Sequence, residues 1–185
     1  LRDWYSGDAM VFNNSGTYRK TSAGSTTLEL TFNNTGTVDV QAGTLALARG
    51  GRLTGTVDID AQAVLQLSGH THTLLGLTLS GPGLLEVAGS FASSSSVVAE
   101  DALVLPGELL VSGGTLTTQG ATTITGALRM AGGTLVANGA LTAATYSQTD
   151  NEATLDGTGT VNVTGAATWT DGAMFGAGTI NFNAG

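Results

Sequence analysis

Three groups of side chains have the types and spacing that could do chemistry. Asp39 and Asp58 occupy equivalent places in the near-copies GTVDV (36–40) and GTVDI (55–59), and Asp60 follows two residues later on the same side of an extended strand. Stacked like charges destabilise a sheet, and a hard cation that prefers carboxylate oxygen would relieve them, so calcium is the ion this trio would take. The competing account is a solvated acidic stripe with Arg49 or Arg52 close by. A second group, Asp150, Glu152 and Asp156, lies in the glycine-free run 140–156, which reads as a bulged surface loop. Neither group matches the GGxGxDxU calcium repeat. His70 and His72, in the string HTH, project from one side of a strand and could supply two metal ligands. No third ligand is adjacent, and the expectation is two exposed imidazoles on an outward face.

Paired acids such as Asp58 and Asp60 are also what glycoside cleavage needs. Such sites add a basic residue and aromatic platforms. Here Phe91, Tyr146, Trp169 and Phe175 are scattered, and Arg129 is the single basic residue after position 52. Enzymatic activity is not expected, and no cofactor other than calcium at Asp39, Asp58 and Asp60 comes into question.

Composition sets the frame for these groups. Glycine (28) and threonine (30) together make up 58 of the 185 residues, while charged residues account for only 11% against about a quarter in an average soluble domain. No cysteine is present, which excludes disulfides, thiolate metal sites and a cysteine nucleophile. No window approaches a membrane-spanning apolar run, and no basic-plus-apolar leader is visible, so any export signal is expected to have been cleaved or to lie outside this sequence. Net charge is −8, split as +1 over residues 1–52 and −9 over 53–185. So acidic a surface repels phosphate backbones, and nucleic acid is not an expected partner.

Glycine spacing argues against helix, since a mid-helix glycine costs about 1 kcal/mol relative to alanine. The apolar residues alternate instead, as in Leu28, Leu30, Phe32 or Val57, Ile59, the signature of short strands. Self-similarity then organises the whole chain. FNNSGT (12–17) returns as FNNTGT (32–37), TLAL (44–47) as VLQL (64–67), GGTLTTQG (113–120) as GGTLVANG (132–139), and GTVNV (159–163) as GTINF (178–182). The shift is 19 or 20 residues each time. Glycines subdivide each period into three steps, so three strands and three corners close one turn. The sequence therefore predicts an all-β, right-handed parallel β-helix (β-solenoid) of about nine three-sided coils, a single domain over 1–185 and a rod of about 40–45 Å.

The period places Tyr18 in the column of Val38 and Lys20 in that of Val40. A lysine in a dry core is costly, so residues 1–24 are expected to form an irregular first coil or cap, with stacked coils over 25–185 and an incomplete last coil. An open solenoid end exposes unpaired strand groups and apolar side chains. Tyr18, Lys20, Ile180 and Phe182 are the candidates for end-to-end stacking. Threonine rows on a flat solenoid face can also bind ice, but the pairs Thr115–Thr117 and Thr123–Thr125 are followed by GTLVANG, which interrupts the row. The sequons at Asn13, Asn33 and Asn162 are expected by chance in so Asn- and Thr-rich a chain, and the FNN asparagines suit corners and amide ladders between coils.

The run FNNTGTVDVQAGTLALARGG, with the later GTL segments and TWTDGAMFGAGT, resembles the repeat regions of large bacterial surface proteins, the filamentous haemagglutinin-like adhesins and autotransporter passengers. That resemblance implies a secreted, extended stalk or binding surface on the bacterial exterior, with a host or cell-surface glycan or protein as partner. It transfers no catalytic motif and implies no membrane insertion by this segment. The runner-up is a subunit that stacks head-to-tail on copies of itself into an open filament.

Overall fold

The computed structural model describes residues 10–89 and 95–183. Among them there is no helix, and every paired strand is parallel to its neighbours. The chain winds as a β-solenoid with three faces. The first face is a nine-stranded sheet running from Val11–Asn14 to Ala173–Met174, which corresponds to eight turns between its first and last strands. At about 4.8 Å per step, those turns span roughly 38 Å.

The second face opens with a separate four-stranded sheet (Thr17–Lys20, Thr37–Val40, Thr56–Ile59, Thr78–Ser80). The third face starts at Ser25–Leu28 and belongs to an eleven-stranded sheet. In the lower half the second and third faces fuse, because Thr122–Met130 and Leu141–Gln148 run through the corner as continuous strands. The cause is local. Four residues, Asp60–Ala63, turn the corner between Ile59 and Val64, whereas only Thr125 and Gly126 separate Ile124 from Ala127. The shorter corner appears as a bulge in register rather than as a turn.

Pairing follows the sequence period. Val38 stacks on Val57 and Val40 on Ile59, Leu45 on Leu65, Leu116 on Leu135, and Val161 on Ile180 with Val163 on Phe182. Down to Val161 and Val163 these inward columns make one continuous apolar core, with Ile180 packed against its end, each fully buried Leu, Ile or Val contributing about 1.5–3 kcal/mol. One coil is longer: Thr71 pairs with Ser96, a shift of 25. The extra length lies between Val87 and Ser96, which are separated by eight residues where the neighbouring coils have three (Leu67 to Thr71, Val111 to Thr115). Phe91 falls there, outside the described residues.

The described part of 1–24 departs from the expected irregularity. Val11–Asn14 and Thr17–Lys20 pair in full register with the next coil. Lys20 does point inward and is 4% exposed. Its ammonium avoids the dry-core penalty by leaning into the corner, near the carbonyl and hydroxyl of Ser22 and the carbonyls of Gly24 (2.8 Å) and Ala42 (3.0 Å).

Candidate functional site

The acidic column on the second face is real, but its charges are engaged. Arg19, Asp39, Asp58 and Ser80 stack in that order on the outer side. The Arg19 Nε donates to Asp39 Oδ2 at 2.7 Å, Gln41 Nε2 donates to the same oxygen at 3.0 Å, and the Ser80 hydroxyl donates to Asp58 Oδ1 at 2.6 Å. Asp60 stands apart at the following corner, exposed. Among the described residues no three His, Asp or Glu side chains converge on one point, so Asp39, Asp58 and Asp60 are not brought together as a calcium cradle. Arg19, rather than Arg49 or Arg52, supplies the neutralising charge.

The second acidic group is also dispersed. The glycine-free run is mostly strand, Leu141–Gln148 and Thr154–Asp156, and only 149–153 turn a corner. There Asp150 Oδ1 accepts the Glu152 backbone N–H at 2.8 Å, while Asp156 Oδ1 accepts the N–H of Gly157 one face further on.

The two histidines part company. His70 is exposed at a corner with φ of 44°, whereas His72 is 0% exposed in the core. It stacks between Gly51 and Val97 on the inner side of the first face. One ring nitrogen, Nε2, lies 3.2 Å from the Ser68 carbonyl, and Nδ1 has no hydrogen-bond partner. Burial pushes its pKa down, against smaller upward pulls from the carbonyls of Ser68, Leu47 and Gly69. The expectation of two outward imidazoles was wrong for His72. Strand parity carried the signal: Leu74, two residues on, is a core residue.

Asparagine does structural work inside and outside. The FNN triplets lie within strands rather than at corners. Asn14 Nδ2 donates to Asn34 Oδ1 at 2.7 Å, and Asn34 Nδ2 in turn reaches the carbonyls of Gly36 (3.1 Å) and Thr56 (3.4 Å). On the outer side Asn33 donates to Asn13 (3.0 Å) and Asn181 to Asn162 (2.8 Å). The sequon asparagines Asn13, Asn33 and Asn162 therefore belong to amide ladders.

At the lower end Trp169, Phe175 and Phe182 are 52%, 65% and 44% exposed, and Ile180 is half-buried. Phe182 leans on the buried Tyr146, ring centroids 5.9 Å apart. At the upper end Tyr18 packs edge-on against Phe12 and Phe32. Between the ends run three strand-built faces with shallow grooves at the corners, among them one beside Gln62, Pro82 and Glu108.

This geometry defines a parallel β-solenoid. No family model, curated protein or solved structure matches the chain. No helix among the described residues is long and apolar enough to cross a membrane.

Proposed function

We propose that the chain is an extracellular structural and adhesive β-solenoid segment of a bacterial surface protein, serving as a stalk or binding surface for a glycan or protein. The observation that carries this reading is the in-register stacking of parallel coils over the described length, with Asp39 and Asp58 tied up in the scaffold rather than gathered in a cleft. Such an object is suited to spanning distance and presenting faces. Proteolytic shaving of intact source cells tests it: peptides of this chain should appear in the released fraction. Their recovery only after lysis would sink the reading.

A second reading is favoured by the exposed Trp169 and Phe182 on the last described coil, which continue the inward columns of Gln148 and Val163. Those two side chains suit cover by a further coil, and a head-to-tail copy would supply one. Sedimentation of the purified chain over a hundredfold concentration range separates the two, since stacking lengthens the particle and a stalk stays at one size.

A further inference from the structure

On the outer side of the first face, register places Thr71, Ser96, Thr115, Thr134 and Thr154 in one column, a hydroxyl on each of five successive strands. Two residues along each strand runs a second column, Thr73, Val98, Thr117 and Val136, β-branched throughout. Neighbouring strands are about 4.8 Å apart and residues two apart along a strand about 6.6 Å, so the face presents a two-dimensional net of hydroxyls and methyls. Arg52 precedes the second column and Asp156 follows it, with no charge between. On the inner side of the same strands His72, Leu74, Val97, Leu116 and Leu135 are buried, which fixes the net before any ligand arrives.

A ligand that fits must be uncharged and must repeat in two dimensions. No aromatic side chain stands in either column, so the platform on which sugar rings stack is missing. A second copy of the rod is also a poor fit. Five strands by two residue positions give about 300 Å², well short of the roughly 800 Å² per partner that a stable interface buries. We propose that this face binds ice. The oxygen lattice of hexagonal ice repeats at spacings near both of those in the net. Hydroxyls then take lattice positions while the methyls of Thr and Val exclude liquid water. The inference rests on the register of the columns and is independent of the stalk reading.

The test is partition of the full chain into slowly growing polycrystalline ice beside a co-dissolved non-binding protein, with faceting of single ice crystals as a second readout. Enrichment in the ice and faceted crystals are expected. Thr115→Lys and Thr134→Lys put long charged chains at the centre of the first column and should reduce partition to that of the control protein. Thr37→Lys, on the second face, should leave it unchanged, and melts followed by circular dichroism check that each variant is folded. Should the lysine variants unfold, Thr115→Val removes the hydroxyl alone and should lower partition. Exclusion of the wild-type chain from ice overturns the proposal, as does undiminished partition of a folded Thr115→Lys/Thr134→Lys double variant. Capture by crystalline cellulose or chitin in place of ice also overturns it.

Discussion

Asn34 shows how a polar side chain becomes a core residue. It is 0% exposed, yet its amide accepts from Asn14 one coil away and donates to the carbonyls of Gly36 in its own coil and Thr56 in the next. Asn34→Ala leaves the Asn14 amide and two carbonyls short of a partner, and loss of a buried partner costs about 1–3 kcal/mol. A fall in the urea midpoint is expected; an unchanged midpoint would show that the ladder contributes nothing. His72 is the opposite case, a core residue with one nitrogen left over. Its folded pKa lies below the ordinary value, so above about pH 6.5 both folded and unfolded states are neutral and nothing is lost. Below that pH the unfolded chain takes the proton first, and stability declines by up to about 1.4 kcal/mol per pH unit until the folded value is reached. The neighbouring titratable group is the exposed His70; the strands on either side present Gly51 and Val97 inward. His72→Leu should therefore flatten the pH dependence just below pH 6.5. Equal losses in wild type and variant would assign that dependence to the carboxylates instead.

Strand scale brings in close approach of backbones. Gly51 has φ of 136°, and a Cβ there would lie 1.9 Å from the Phe32 carbonyl oxygen. The ladder is irregular at this point: the Arg52 N–H is taken by the Asn33 side chain at 3.0 Å, and aligned pairing resumes at Asn34 and Leu53. Gly51→Ala combines a strained conformation with a backbone clash, at a cost of about 2 kcal/mol or more, read as a lower melting temperature. A variant that melts with wild type would mean the two strands separate freely. The sequence made most strands legible, because glycine-threonine corners and alternating apolar residues recur at one spacing. It concealed what breaks that spacing. The row looked interrupted at GTLVANG because Val136 follows Thr117 in its column, although the neighbouring column continues from Thr115 to Thr134; the five extra residues after Val87 also hid the pairing of Thr71 with Ser96. At Thr125 and Gly126 the composition still reads as a corner, although the chain is too short there to turn. His72 was misread because polarity was given more weight than the parity set by Leu74.

At the level of the whole molecule, each coil touches only the coils above and below it, so stability is a sum of neighbour terms rather than one global transition. Hydrogen exchange should accordingly be graded, fastest in the coils holding Val11–Asn14 and Thr179–Phe182 and slowest around Leu109, Leu116 and Leu128. Uniform protection along the chain would contradict this one-dimensional account.

The strands lie across the rod, so their ladder bonds point along it. A pull on the two ends would therefore load a single coil boundary at a time, as when a zip is opened tooth by tooth, and would never shear many strands together. Each boundary that gives way frees a coil of about 20 residues, and with it about 70 Å of slack chain. Tethered at both ends, the rod would yield in small repeated lengths at modest force and rewind when the load falls, behaving as a shock absorber rather than a rigid strut.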